Sequence, residues 1–356
     1  MPHPAALSHG RVMRRTDGIG RLGQAKRFAG KDILMGETQI VPAVQSFAQL
    51  REAARSLGAR RVAILCAEDE VALTAASDAL LAGIARPQLV GEEEAIVRRL
   101  RALGLDELLR EADFVPARTP EEAAQKACRM AARGESDILL KGHLRTDELL
   151  HAVLSREAGL RTGRLLSDVL LYEDTLSGAR RLVGITDGGL NVLPTLEQKR
   201  QIILNAVDVM HCIGLARPKI ALMSATEVVS EGLPSTIDAL QLTQMAARGE
   251  FGEAAVFGPL ALDNALLQSA ALAKGIHNEV AGHADCLMAP SIEAGNLLGK
   301  AVKYLGGSQC AHVVVGARVP VLIPSRVESA DDKVNSMALG VLYHAYTQRM
   351  QKEARP

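Results

Sequence analysis

Six side chains that carry or can take a positive charge crowd one stretch of this sequence: Lys141, His143, Arg145, His151, Arg156 and Arg161. The stretch begins where the apolar run Asp137–Leu140 ends. A phosphate group needs cations placed this way, and arginine can grip it with two parallel hydrogen bonds. Glycines beside Lys141 and Arg161 put those two at element ends, whereas Arg145 and Arg156 fit a solvated helix face. A second cluster, Pro324-Ser325-Arg326-Val327-Glu328-Ser329-Ala330-Asp331-Asp332, follows the apolar Val319–Ile323. Ser325 and Arg326 stand where that strand should end. Ser329 with Asp332 three residues later also has the pattern of a capping box, so local chemistry alone explains Asp332 as a helix cap.

Three further segments place glycine or small polar residues just after strand-like runs, where α/β folds bind ligands. They are Ile185–Asn191, Gly258–Asn264 and Ser291–Asn296. An Asp-Gly turn accounts for the first, and helix caps account for the other two, unless tertiary structure brings them together.

Other patterns fail on context. Gly18, Gly20 and Gly23 have dinucleotide-fingerprint spacing, but Arg14-Arg15-Thr16-Asp17 precedes them where an apolar strand is required. Gly295 to Lys300 is one residue short of a phosphate-binding P-loop and lacks its Ser/Thr. No His or carboxylate spacing suggests a metal. Asp331 and Asp332 are adjacent, so on a helix they diverge. The five cysteines, Cys66, Cys128, Cys212, Cys286 and Cys310, include no C-x-x-C pair and read as free thiols of a reducing compartment.

These residues need a scaffold, and the apolar periodicity predicts one. Strands are expected over Arg61–Cys66, Gln88–Gly91, Phe114–Val115, Asp137–Leu140, Leu166–Tyr172, Leu182–Thr186, Ile220–Ser224, Ala254–Phe257, Cys286–Ala289, His312–Val315 and Val319–Ile323. Helical spacing covers Gln45–Leu57, Val71–Leu81, Ala95–Leu103, Pro120–Ala132, Leu196–Ile213, Thr236–Ala247, Leu260–Ala273, Ala294–Leu305 and Asp331–Tyr346. Short apolar strands between longer helices predict an α/β protein with mostly parallel sheet.

With 48 % apolar residues the chain can build a full core, and 356 residues suggest two domains. Lysines and arginines equal aspartates and glutamates at 41 each, which removes the electrostatic case for nucleic acid or an anionic membrane. The local basic excess, seven against three, lies in residues 1–44, which lack periodicity and are expected to form a dispensable flexible extension, with Met35 as a possible start. No apolar run reaches the ~18–20 residues of a membrane span.

Taken in order, ITDGGLNVLP (185–194), KIALMSATEVVSEGLPSTIDA (219–239), GPLALDNA (258–265), AGHADCLMAPSIEAGNLLGK (281–300) and VLIPSR (321–326) resemble the phosphate acetyltransferase/butyryltransferase family. LLKGHLRTDELLHAVLSREAGLRTGRLLSDV (139–169) is similar to its shorter, butyryltransferase-like branch. The resemblance runs from about residue 46 to 348. It implies two α/β domains of the isocitrate/isopropylmalate dehydrogenase-like fold with the active site in the cleft. Domain I would comprise 45–165 plus 318–356, and domain II 166–317.

The family's Ser-Arg pair falls on Ser325 and Arg326, and its catalytic Asp on Asp332. The butyryl-like branch often lacks Asp at that offset, which leaves Asp331 and Glu328 as rivals. A family Arg or Lys that helps bind phosphate falls on His151. The resemblance therefore implies a cytoplasmic acyltransferase that exchanges a short acyl group between coenzyme A and inorganic phosphate. Asp332, Ser325 and Arg326 would be catalytic, and Lys141, His151, Arg161 and Asn296 would bind phosphate or coenzyme A. Neither a metal nor a tightly bound cofactor is required, and the resemblance implies a homodimer or larger homo-oligomer. The competing readings are a nicotinamide-dependent dehydrogenase on a related fold and a non-catalytic regulatory or binding homologue.

Overall fold

The computed structural model describes residues 41–353 apart from 177, 179 and 326. The glycine pattern at 18–23, Met35 and Arg326 therefore lie outside the described residues. Eleven strands form one sheet: β1 Arg60–Leu65, β2 Ala85–Gly91, β3 Asp113–Pro116, β4 Ile138–Lys141, β5 Ser167–Asp174, β6 Arg181–Thr186, β7 Lys219–Met223, β8 Ala255–Leu260, β9 Cys286–Met288, β10 Cys310–Val315 and β11 Val321–Leu322. Their order is β3-β2-β1-β4-β11-β10-β5-β6-β9-β7-β8.

The strand pairs on either flank of the sheet are parallel. The three central pairs, β11 with β10, β10 with β5 and β5 with β6, are antiparallel. The expected mixed α/β class with a mostly parallel sheet is what forms. Parallel strands covered on both faces must be apolar throughout, and Val62, Ala63, Ile64 and Leu65 of β1 are all fully buried.

The strand order sorts by sequence. Strands β1 to β4 and the returning β11 occupy one end, and β5 to β10 the other. Among the described residues, the two sets are joined within the sheet by β10 and β11, at the Val314–Val321 pair. Backbone groups beyond that pair need other partners, so a short junction positions loops from both sets near one another.

The last helix, Ala330–Glu353, is buried at every residue from Asp332 to Tyr343. It packs on β10, β4 and the helices Phe47–Ser56 and Glu70–Leu81. A helix enclosed on all sides shows no amphipathic stripe. Its first turn carries the exposed Asp331 and the fully buried Asp332, so the start of this helix places one acidic group inside the protein.

Several boundaries differ from expectation. Residues 41–44, assigned above to the extension, pack on the body: Val44 is buried and its N–H donates to the Ile213 carbonyl. The helix expected over Leu260–Ala273 is two short helices, Leu262–Leu266 and Gln268–Ala273, broken by extended backbone at Leu267. Gly258 and Pro259 lie within β8 rather than in the turn after it. Ala294–Leu305 splits into an α-helix, Ile292–Lys300, and a π-turn, Ala301–Leu305. The Gly295–Lys300 pattern is therefore helical, not a phosphate-cradling loop. Helices at Asp106–Glu111 and Thr146–Leu154 were not foreseen. No helix among the described residues is long and apolar enough to cross a membrane.

Candidate active site

Asp187 organises the loop that follows β6. Its carboxylate accepts from the N–H groups of Gly189, Leu190 and Asn191 and from the Asn191 side chain. Burial, reinforced by nearby Asp168, pushes Asp187 up to about 6. Onto this loop packs the helix Ile292–Lys300, backbone against backbone. A Cβ on Gly295 would lie 2.5 Å from the Asp187 carbonyl oxygen, and one on Gly188 would lie 2.9 Å from the Gly295 carbonyl carbon. Only glycines permit this approach. Asn296 locks it by donating to the Gly188 carbonyl at 3.0 Å.

These elements line an open cavity of about 110 Å³. Asp168 and Leu170 come from β5, and Gly188 and Gly189 from the Asp187 loop. Asn296 and Lys300 come from the helix, Lys303 and Tyr304 from the π-turn, and Cys310 and His312 from β10. Ser325 and Glu328 enter from the segment after β11. A π-turn inside a helix commonly marks a functional site, because it re-aims the side chains on it.

His312 lies between two carboxylates. Its Nε2 is 3.2 Å from Glu328 Oε1 and its Nδ1 is 3.6 Å from Asp168 Oδ1. Burial opposes charge on the ring, but Glu328 and Asp168 outweigh it and raise His312 to about 10. Burial would raise Glu328, yet the imidazolium holds it below the ordinary glutamate value. Among the described residues, Glu328 Oε2 and Asp168 Oδ1 are buried without a hydrogen-bond partner. Buried oxygens left this way cost free energy, so each calls for an explanation.

Asp332 sits behind the cavity and is fully buried. One oxygen accepts from Lys303 Nζ, Ser329 Oγ at 2.6 Å and the Ser329 N–H at 3.1 Å. The other accepts from the Cys310 N–H at 2.9 Å. Burial raises its pKa, but these donors outweigh that and lower it overall. The Ser329–Asp332 capping box is present, with the Asp332 N–H donating back to Ser329 Oγ. Asp331 points away and pairs with Arg51 at 2.8 Å. Lys333, buried beside them, donates to the carbonyls of Ser325 and Glu328 and so fixes the segment's shape.

Of the residues singled out in the sequence, Ser325 and Asn296 line this cavity and Asp332 adjoins it through Lys303. Lys141 is buried at the end of β4, its Nζ 3.5 Å from the Gly142 and Leu144 carbonyls. His151 is exposed on the helix Thr146–Leu154. Arg161 is exposed and lines a second cavity of about 100 Å³ with Thr162, Arg164 and Gly316. Asp168, His312, Lys300 and Lys303 were missed as site residues. A signal existed for the first two: each is a charged or titratable residue within an apolar strand run, and such a residue needs a buried partner.

A model of the family described as phosphate acetyl/butaryl transferase matches residues 113–341. The sequence is 38 % identical over 299 residues to a phosphate butyryltransferase of Clostridium acetobutylicum, covering 84 % of this chain and 98 % of that relative. It is 41 % identical over 277 residues to a phosphate acetyltransferase of Rhizobium meliloti, covering 78 % and 86 %. The chain belongs to the phosphate acetyl/butyryltransferase family. A branched-chain phosphotransacylase of Enterococcus faecalis V583 superposes with a TM-score of 0.71 at 29 % identity, covering 80 % of this chain and 99 % of that one. A phosphotransacetylase of Streptococcus pyogenes shares the fold, with a TM-score of 0.72 at 19 % identity, covering 84 % and 99 %. Every residue lining the first cavity lies inside the region that the family model matches.

Proposed function

We propose that this protein catalyses the reversible reaction of acyl-CoA with inorganic phosphate to give an acyl phosphate and coenzyme A, with a short acyl group such as acetyl or butyryl. The observation that carries this reading is the first cavity. It combines amide, ammonium and hydroxyl donors with buried carboxylates, all within the family match.

Acyl transfer between a thiol and a phosphate needs three things. The anionic phosphate must be held, the developing oxyanion on the acyl carbon must be stabilised, and the thiol must lose its proton. Lys300, Lys303 and Asn296 are suited to the first, together with Arg326. Ser325 is suited to the second. A carboxylate from the segment Glu328–Asp332 is suited to the third, since a free thiol with a pKa near ~8.5 is mostly protonated at neutral pH. This chemistry uses coenzyme A as a substrate and calls for no resident cofactor or metal.

The sorting of strands supports a division into a domain of 45–165 plus 318–356 and a domain of 166–317, as in isocitrate dehydrogenase-like folds, with substrate entering between them. The second cavity, where Arg161 and Arg164 are exposed, is a candidate site for the coenzyme's own phosphates. Five free, buried cysteines suit a reducing, cytoplasmic setting, and a homodimer or larger assembly is part of the same proposal.

The test is release of free thiol from acetyl-CoA and butyryl-CoA by the purified protein. Thiol should appear only when phosphate is present, and the faster of the two donors gives the acyl preference. Phosphate-independent release, or none, would overturn the reading, and nicotinamide reduction by a hydroxy acid would favour the dehydrogenase instead.

A further inference from the structure

Three carboxylates stand at the start of the last helix, and they face three different ways. Asp331 is exposed and paired with Arg51. Asp332 faces inward, where four donors surround its two oxygens. A carboxylate so occupied has no oxygen available for a thiol proton. Glu328 alone of the three lines the cavity. One of its oxygens is held at 3.2 Å by His312, and the other is buried without a hydrogen-bond partner among the described residues.

The geometry points to Glu328 as the general base of the acyl exchange, aimed by the positioning residues His312 and Asp168, while Asp332 anchors Lys303. This inference rests on the acyl-transfer reading above. In the direction of acyl-CoA formation, the Glu328 carboxylate takes the proton from the coenzyme A thiol as sulfur attacks the acyl carbon. The carbon–sulfur bond forms, the carbon–oxygen bond to phosphorus breaks, and its electron pair stays on the departing phosphate. In reverse, protonated Glu328 returns that proton to the leaving thiolate. A base oriented by a third group is the general logic of activated nucleophiles.

His312 is an anchor and not a shuttle, because its two carboxylate neighbours keep it charged through the neutral range. Among the described residues, the other charged groups around Glu328 are Lys333 and Asp332 on the last helix, Asp168 on β5, and Lys303 on the π-turn beside Asp332. The Cys310 thiol is held protonated, chiefly by its burial, which pushes it up to about 12.

The experiment follows coenzyme A acylation by acetyl or butyryl phosphate from pH 6 to 9.5 in Glu328→Gln. Near neutral pH kcat should fall about 10²–10⁴-fold, the usual cost of losing a general base. The KM for acyl phosphate should stay within about threefold, since uniform binding is not removed. The variant's rate should then climb with pH until the thiol ionises unaided near ~8.5, while the wild type stays flatter. A merely structural Glu328 would give a loss that does not recover with pH, and that result, or retention of more than a tenth of kcat, overturns the inference.

Glu328→Asp keeps the carboxylate and covers the case in which the glutamine variant does not fold: a reduced rate with the wild-type pH shape is expected. A rising, thiolate-limited profile in Glu328→Asp would count against the inference. His312→Gln should lower kcat more than it raises KM. Removing the cation lets the Glu328 pKa rise, so the acid limb of the profile should move to higher pH; an unmoved limb rejects the positioning role. Asp332→Asn should lose less than tenfold in kcat and raise the KM for phosphate through Lys303. If Asp332→Asn instead shows the large, pH-recoverable loss, Asp332 is the base. Absence of any exchange in the wild type would sink the functional reading itself, before any variant is compared.

Discussion

The two cavities keep their charge in opposite ways. The first holds Asp168, Glu328 and His312 inside the protein, with Lys303 in its wall and Asp332 behind it, and among the described residues leaves two carboxylate oxygens without hydrogen bonds. The second displays Arg161 and Arg164 at the surface, where Arg164 pairs with Asp208 at 2.7 Å. Water screens the second set, so its charges impose little on the fold. The first set is costly to build and is therefore the stronger sign of chemistry. In the sequence the ranking looks reversed, because the cations near Arg161 form a conspicuous cluster and the residues of the first cavity are scattered from 168 to 328.

The comparison can be broken most directly through its ion pairs. Asp332→Ala should destabilise the protein by about 3–5 kcal/mol, because it strands Lys303 and the Cys310 N–H. Arg164→Ala should cost about 0.2–1 kcal/mol, as exposed pairs do. Urea unfolding measures both, and equal losses would mean that burial does not separate the two regions. The effect of Asp332 also carries a pH signature. Its folded pKa lies below the ordinary aspartate value, so its stabilisation is present above that ordinary value and fades as pH falls through the lower folded one. The gap between wild type and Asp332→Ala should therefore narrow below about pH 4.

Geometry in the first cavity should be unforgiving. Gly295→Ala forces the helix carrying Asn296 and Lys300 away from the Asp187 loop, and a displacement near 1 Å typically costs up to about 100-fold in rate. A loss of about tenfold to a hundredfold in kcat/KM is expected, read in the thiol assay. Activity within twofold would show that the helix–loop contact does not position the site.

The second region should give smaller, binding-type effects. Arg161→Ala should raise the KM for coenzyme A about threefold to tenfold, up to ~1.4 kcal/mol, with kcat nearly unchanged. His151→Ala, at an exposed helix position, should change any constant by less than about twofold. A larger effect at His151 than at Arg161 would show that the family's phosphate-binding position keeps its role here despite the change to histidine.

The alternation of strands and helices, the mostly parallel sheet, the family, and the candidate binding segments at strand ends were legible in the order of residues alone. Each of these depends on local periodicity or on an ordered set of motifs, and needs no knowledge of which elements touch. The sequence could not place the central antiparallel strands or divide the helix expected over Leu260–Ala273, because those follow from long-range packing.

Nor could it separate Glu328, Asp331 and Asp332, which lie within five residues of one another. Their roles follow from which way each faces once the helix behind them is enclosed, and burial on all sides is a property of the assembled core. His312 and Asp168 were equally hidden, 144 residues apart in the chain. They meet because β10 runs antiparallel to β5 with His312 opposite Leu170 and Val314 opposite Asp168, a register that places the two diagonally on one face. A one-residue slip would turn Asp168 to the other side of the sheet, so only the tertiary pairing decided that this imidazole and these carboxylates share a cavity.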